Sequence, residues 1–124
     1  GMRLTRVSVA VVTDADGDAT AYTPALNGMV RSVRYIKPAE GGLDAGSNID
    51  IVTDKGAVVV WDKDNLAASA VIYPMVPAHD NKGTLVAGSY APIPVCDERI
   101  KITVANGGNA GAGTFEFLIE GVAL

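Results

Sequence analysis

The sequence is poor in the residues from which catalytic and metal sites are most often built. It contains one cysteine, Cys96, and one histidine, His79. No disulfide can therefore form within the chain, and a metal site held by several histidines is excluded. We expect Cys96 to be a buried thiol that packs as a small hydrophobe, and His79 to lie in a surface loop without a nucleophile beside it. The chain is predicted not to be an enzyme, with no catalytic, cofactor-binding or metal-ligating residue.

Long apolar runs and clusters of basic residues are also missing. The chain has 10 basic and 14 acidic residues and a net charge of −4, and its basic residues form no stripe that could follow a nucleic-acid backbone. No apolar run approaches the roughly 18 residues of a membrane-spanning helix. The run Val7–Val12 is too short for a signal-peptide core, and Gly1 before Met2 is interpreted as a tag-removal scar. We expect no nucleic-acid or membrane partner and no Sec export.

Apolar residues and turn formers are what the chain has in quantity. Hydrophobic residues make up 48% of its 124 residues and charged residues 19%, which is typical of a globular protein. Val and Ile are frequent among the apolar residues and favour strands. The 14 glycines and 6 prolines predict many turns. We therefore expect a single all-β domain over residues 1–124.

Two segments alternate apolar and polar residues with the period of a half-buried strand. In Ile100–Val104 the apolar residues share one face, and in Phe115–Glu120 the odd positions form the apolar stripe. This pattern predicts a core that contains Val9, Val33, Ile100, Ile102, Val104, Phe115, Phe117 and Ile119. Further strands are predicted at Val7–Val11, Met29–Ile36, Ile49–Val52 and Ala57–Trp61, with weaker signals at Ala70–Met75 and Leu85–Ala87.

Turn-forming pairs separate most of these strands. They are Asp16-Gly17, Asn27-Gly28, Gly41-Gly42, Lys55-Gly56 and Asn106-Gly107-Gly108. About eight strands at short spacing predict an antiparallel β-sandwich, jelly-roll-like in its organisation. The one place for a helical turn is Asp62–Ile72, where Asp62 or Asp64 could serve as the cap.

Three further features each allow a functional and a structural interpretation. The acidic run Asp14–Asp18 begins like a calcium loop, but Ala19 and Ala25 replace the glycine and the closing glutamate, so a solvated hairpin tip is expected. The run Gly107–Gly113 lacks the Lys-Ser/Thr pair of a phosphate loop and predicts a flexible hairpin loop. The aromatic residues could form a sugar-stacking platform or fill the core and its rim; they are Tyr22, Tyr35, Trp61, Tyr73 and Tyr90.

Three blocks of sequence resemble a family of small proteins of tailed bacteriophages and prophages. The first is residues 16–28, which lead into Val33–Lys37, and the second is residues 65–70, followed by Tyr73-Pro74 and Pro77–Asp80. The third is residues 97–105, followed by Gly107–Asn109 and Gly113–Phe115. Their order and spacing cover most of the chain, from about Val7 to Gly121, and the match fails at Leu85–Val95.

The resemblance implies a virion-associated structural protein without catalytic residues. We expect a capsid decoration or cement subunit, or otherwise a minor head–tail or tail component, that binds capsid or tail proteins and forms a homo-oligomer. The mobile loop Asn106–Gly113 is the expected contact. The alternative is a carbohydrate- or surface-binding module. Burial of Trp61 and the tyrosines would favour the structural role, and their alignment on one exposed face would favour sugar binding.

Overall fold

The computed structural model of the chain describes residues 2–122, with the side chain of Val122 excepted. This part of the chain forms eleven β-strands and no helix. The strands are β1 Met2–Val12, β2 Ala19–Tyr22, β3 Leu26–Ile36, β4 Asn48–Thr53, β5 Val59–Lys63, β6 Ala70–Ile72, β7 Val76–His79, β8 Leu85–Ala91, β9 Ile93–Glu98, β10 Ile100–Ala105 and β11 Ala112–Val122. The predicted all-β class is confirmed.

The strands form two large antiparallel sheets and one two-stranded sheet. The five-stranded sheet has the order β1-β11-β3-β6, and β9 also pairs with β3. The four-stranded sheet has the order β2-β10-β4-β5. Strands β7 and β8 pair only with each other within the described residues, and we call them the arm. The large sheets curl into a half-barrel, so the fold is sandwich-like.

The core lies between the two large sheets and is built by period-2 alternation. All eight predicted core residues, Val9, Val33, Ile100, Ile102, Val104, Phe115, Phe117 and Ile119, belong to the buried cluster. Trp61, Tyr35, Leu66 and Ile93 join it from other strands and loops. On β11 the alternate residues Glu116 and Glu120 face outward, where they form ion pairs with Arg6 and Arg31. The alternation therefore sets which face of each sheet is apolar.

The structure has eleven strands rather than about eight. The additional strands are β2, β7 and β9, which are four to six residues long. Pro77 lies in β7 and Pro94 in β9, and proline weakens a strand signal because it cannot donate to the ladder. Short strands at sheet margins have too few residues for their alternation to stand out.

The predicted helical turn at Asp62–Ile72 is wrong. Part of this segment belongs to β5 and β6, and the intervening residues are irregular. The backbone N–H of Leu66 donates to the carbonyl of Ser47 at 2.9 Å, and the Ser47 hydroxyl donates to the carbonyl of Leu66 at 3.0 Å. Because Leu66 is buried in the core, these bonds hold the segment against the sandwich and leave no room for a helix. The capping residues were present, but the 3.6-residue apolar period was not.

A buried carboxylate closes the turn between β4 and β5. Glu98 is buried, and one of its oxygens accepts hydrogen bonds from the backbone N–H groups of Lys55 at 2.7 Å and Gly56 at 2.6 Å. Asp54 beside it binds the guanidinium of Arg99, whose centre lies 4.0 Å from the ring of Tyr22. The two bonds from Lys55 and Gly56 satisfy the buried carboxyl group with backbone donors, as a low-dielectric site requires.

Strand β11 allows a direct test of the alternation. Phe117 is fully buried, so Phe117→Ala is expected to lower the free energy of unfolding by about 3 to 5 kcal/mol. Glu116→Ala, on the outer face, removes only a surface ion pair and is expected to stay within about 0.5 kcal/mol. Chemical denaturation measures both changes. Equal losses from the two variants would show that the register of β11 is wrong.

Candidate functional site

The acidic turn Asp14–Asp18 uses a carboxylate to hold its own backbone. Asp14 Oδ1 accepts hydrogen bonds from the N–H groups of Asp16 at 2.9 Å and Asp18 at 3.0 Å. The turn joins β1 of the five-stranded sheet to β2 of the four-stranded sheet, so it is a crossing between sheets and not the predicted hairpin tip. Across residues 2–122, no three His, Cys, Asp or Glu side chains are grouped so that they could hold a metal ion.

The glycine-rich loop Asn106–Gly113 is packed in place, so the prediction of a flexible hairpin loop is wrong. It also crosses between sheets, from β10 to β11. The Thr13 hydroxyl donates to the carbonyl of Gly108 and accepts a hydrogen bond from the N–H of Gly111 at 2.8 Å. The N–H of Gly107 donates to the carbonyl of Gly17 at 2.8 Å. The loop is therefore not the mobile hairpin that its composition suggested.

The histidine and the cysteine both lie at the surface. His79 is exposed, as expected, but it is the last residue of strand β7 and does not lie in a loop. Cys96 is exposed, so the predicted buried thiol is wrong. On β9 the side chains of Ile93 and Val95 point into the core, and Cys96 follows on the opposite face. Strand alternation, and not the general preference of cysteine for burial, decides its position.

The aromatic residues divide between core and surface. Trp61 and Tyr35 are buried, and the Tyr35 ring lies 5.2 Å from that of Phe115. Gly113 makes room for Tyr35, because a Cβ at Gly113 would lie 2.5 Å from the ring. Burial raises the pKa of Tyr35, and the nearby backbone of Leu43 lowers it by a smaller amount. The Tyr35 hydroxyl has no well-formed hydrogen bond among the described residues.

The exposed tyrosines lie on three different parts of the fold. Tyr22 is on the four-stranded sheet, Tyr73 follows β6, and Tyr90 is on the arm. Tyr73 is 74% exposed and Tyr90 is 60% exposed. The tyrosines are therefore not aligned on one sheet as a stacking platform.

The arm exposes several large apolar side chains. Leu85 is 61% exposed, and Val86 and Tyr90 are also exposed. Between the pairs His79↔Leu85 and Pro77↔Tyr90 there is one residue on β7 but there are four on β8. The four residues Val86–Ser89 therefore form a bulge in β8. The centre of the bulge includes Gly88, which has a φ of 76°. Strand β8 carries no charged residue.

Two open hollows adjoin this apolar surface. The first, of about 650 Å³, lies between the arm and the sandwich, and its lining includes Val58, Val76, Leu85, Pro92 and Pro94. The second, of about 310 Å³, lies beside Tyr73 and Met75 and is lined also by Val30 and Leu118. We call the first hollow the arm groove. It gives the arm a continuous apolar border with the sandwich.

The turn of the arm repeats the local design of the acidic turn. Asp80 Oδ1 accepts hydrogen bonds from the N–H groups of Lys82 at 2.9 Å and Thr84 at 3.0 Å, as Asp14 does for its own turn. Both turns have an aspartate, a glycine three residues later and a positive glycine φ, at Gly17 and Gly83. This shared spacing indicates a tight turn, which is a crossing between sheets at Asp14 and a hairpin at Asp80. The hairpin Val76–Ala91 lies partly in the segment where the family resemblance fails.

Comparisons with known proteins add little to this description. The chain matches no protein-family model and no curated protein. It is similar to the solved crystal structure of FLHE, with a TM-score of 0.42 and 11% sequence identity over 96% of this chain and 97% of that chain. A likeness of that size carries no argument about function. The part of the chain that the structure describes contains no helix long and apolar enough to cross a membrane.

The packing of the glycine-rich loop can be tested at Thr13. Thr13→Val keeps the shape of the side chain but leaves the buried N–H of Gly111 without its partner, so we expect a loss of about 1 to 3 kcal/mol in the free energy of unfolding. Thr20→Val, at an exposed position of β2, is the control and is expected to change it by less than about 0.5 kcal/mol. A Thr13→Val protein as stable as the wild type would show that the loop is held by other contacts.

Proposed function

We propose that this protein is a non-catalytic structural subunit of a tailed-phage particle, either a capsid decoration or cement subunit or a head–tail component. It is assembled in the cytoplasm of the bacterial host and contacts capsid or tail proteins through the arm. Two observations support the proposal: the resemblance of three sequence blocks to virion-associated phage proteins, and the exposed apolar surface of the arm. The second observation carries the choice of surface.

An uncovered arm is energetically unfavourable for the unbound protein. An isolated two-stranded hairpin is at best marginally stable in water, and soluble proteins rarely leave contiguous apolar surface uncovered. Leu85, Val86 and Tyr90 nevertheless stand on the arm without covering residues from either large sheet. A partner that covers the arm would remove this apolar surface from water. Each Å² removed would stabilise the complex by about 25 cal/mol.

The chemistry of β8 suits a contact that excludes water. Its seven residues include no charge that would have to be desolvated, and Tyr90 supplies an aromatic side chain of the kind enriched at interface centres. The arm groove beside it offers a concave apolar border into which a partner side chain fits. In a particle with many equivalent positions, small contacts of this kind add through avidity when subunits are linked.

Two substitutions in the arm test the proposal. Leu85→Ser with Tyr90→Ser is expected to weaken binding to phage particles assembled without this protein by at least about tenfold, because two apolar contacts are lost. Val59→Ser removes an exposed apolar side chain from β5 and is the matched control, with binding unchanged. Co-sedimentation with the particles measures the affinity. Full binding by the arm variant would rule out the arm as the contact.

A sugar-binding role is the second candidate, and one surface favours it. Tyr73 borders a shallow hollow of about 440 Å³ whose lining includes Arg6, Arg34 and Glu116. An exposed aromatic ring beside charged hydrogen-bonding groups is an arrangement that can hold a sugar ring.

The sugar-binding candidate predicts that Tyr73→Ala abolishes binding on a glycan array while leaving particle binding intact. Tyr90→Ala, on the arm, is the control and is expected to leave glycan binding unchanged. An array on which the wild-type protein binds no glycan would remove this candidate.

A further inference from the structure

Strand β1 leaves one edge of the five-stranded sheet open along its whole length. Its eleven residues pair with β11 without a register shift, and no other described strand pairs with it. Just beyond β1, the N–H of Thr13 donates to the carbonyl of Gly111, so odd-numbered residues direct their backbone groups toward β11. By the alternation of a strand, the N–H groups of Ser8, Ala10 and Val12 point away from the sheet.

The other sheet margins carry features that discourage pairing with another chain. Strands β2 and β6 have only four and three residues, and β7 and β9 contain prolines. Strand β5 has five residues and ends in the exposed charges of Asp62 and Lys63, and the pairing of β8 is interrupted by a register shift. Short length and proline are known means of protecting an edge. The segment Val7–Val12 has neither, and it has no charge, no glycine and four valines. A long, regular, uncharged edge of this kind is a template for another strand.

The charges at the two ends of β1 indicate which strand fits. Arg3 and Arg6 lie near its beginning, and Asp14, Asp16 and Asp18 follow its end, all of them exposed. A second copy of β1 laid antiparallel would bring the arginines of each copy to the aspartates of the other. A parallel copy would place like charges together. Charge complementarity therefore selects an antiparallel copy of the same strand.

We propose that two copies of this protein form a dimer by antiparallel pairing of their β1 strands, with the two-fold axis at Ala10. This register keeps core-facing side chains of both copies on the same face, as sheet pairing requires. It also joins the free backbone groups of Ala10 in the two copies and places Arg6 opposite Asp14 of the second copy. The two five-stranded sheets then become one continuous sheet.

The contact is self-complementary, as an interface with two-fold symmetry must be. Arg6 already binds Glu116 within its own chain, at 2.9 Å, but most of its side chain is exposed and remains accessible to a second carboxylate. The dimer does not depend on the proposed role in a phage particle. Self-association of the pure protein and its presence in virions are separate measurements, so failure of either can be distinguished.

The first test removes a hydrogen-bond donor from the edge. Ala10→Pro deletes an N–H that points away from β11, so the ladder inside each copy is kept, and proline is tolerated at such a position. Loss of the two central bonds is expected to raise the Kd of the dimer about thirtyfold. Ala10→Ser keeps the N–H and is the control. Sedimentation equilibrium from about 1 μM to about 1 mM covers the relevant range of affinity.

The second test exchanges the charges at the two ends. One variant carries Arg3→Glu, and the other carries Asp16→Lys and Asp18→Lys, so that Arg6 and Asp14 stay native in both. Each variant is expected to dimerise more weakly than the wild type when alone, because like charges meet near position 3 in its homodimer. An equimolar mixture is expected to form the heterodimer at low salt in preference to either homodimer, because the introduced glutamate then meets the introduced lysines and the native Arg3 meets the native Asp16 and Asp18. Restored pairing in the mixture also shows that both variants are folded.

Three results would contradict the proposal. A wild-type protein that remains monomeric at about 1 mM overturns the proposal. An Ala10→Pro dimer as tight as the wild type overturns it too, because the contact would then lie elsewhere. Charge variants that each dimerise as tightly as the wild type, or that form no heterodimer when mixed although each has the circular dichroism of the wild type, contradict the antiparallel arrangement.

Discussion

The contact between Thr13 and the glycine-rich loop fixes the position of the two large sheets relative to each other at one end of the sandwich. Among the crossings between the two large sheets, one lies between β1 and β2 and another between β10 and β11. Both crossings meet at this contact. A Cβ at Gly111 would lie 2.3 Å from the carbonyl oxygen of Gly107, and a Cβ at Gly107 would lie 2.7 Å from Thr13 Cγ2. Glycine is therefore required here for close approach of backbone, and not for motion.

The register set at this end determines what the surface presents. With β10 and β11 held, their alternate side chains fill the core, and the ion-paired glutamates of β11 face outward. The same register places β1 at the margin of the five-stranded sheet with its free N–H groups outward. The arm pairs with neither large sheet. The sandwich thus carries two distinct uncovered surfaces. One is at β1, where free backbone groups accompany the exposed side chains of Met2, Leu4 and Val12, and the other is made of apolar side chains on the arm.

The core could be predicted from the sequence because period-2 alternation is a local property. In Ile100–Val104 and Phe115–Glu120 each side chain faces either the core or the solvent, so the pattern alone assigns it. The position of Cys96 follows the same rule on β9, but Pro94 obscured the strand. The glycine-rich loop could not be predicted in this way, because the same composition suits a mobile hairpin. Only the contact with Thr13, almost a hundred positions away, distinguishes the two, and that contact depends on the tertiary fold.

Local sequence patterns also could not predict which surfaces are exposed. The exposure of Leu85 and Tyr90 depends on the absence of a covering sheet, and the uncharged edge Val7–Val12 is significant only once β1 is known to be the outermost strand. The same six residues in a central strand would be ordinary core. Which surfaces this fold exposes is therefore a consequence of topology, and the sequence indicates only that a tight turn lies at Asp80 to Gly83.

The proposed structural role in an assembled particle is tested most directly by the protein composition of that particle. Mass spectrometry of purified virions from a phage or induced prophage that encodes this protein is the measurement. The account predicts that the protein is present at a stoichiometry of several copies or more per particle and stays bound through density-gradient purification. Its absence from virions and from their assembly intermediates, when it is abundant in the infected cell, would contradict the structural role.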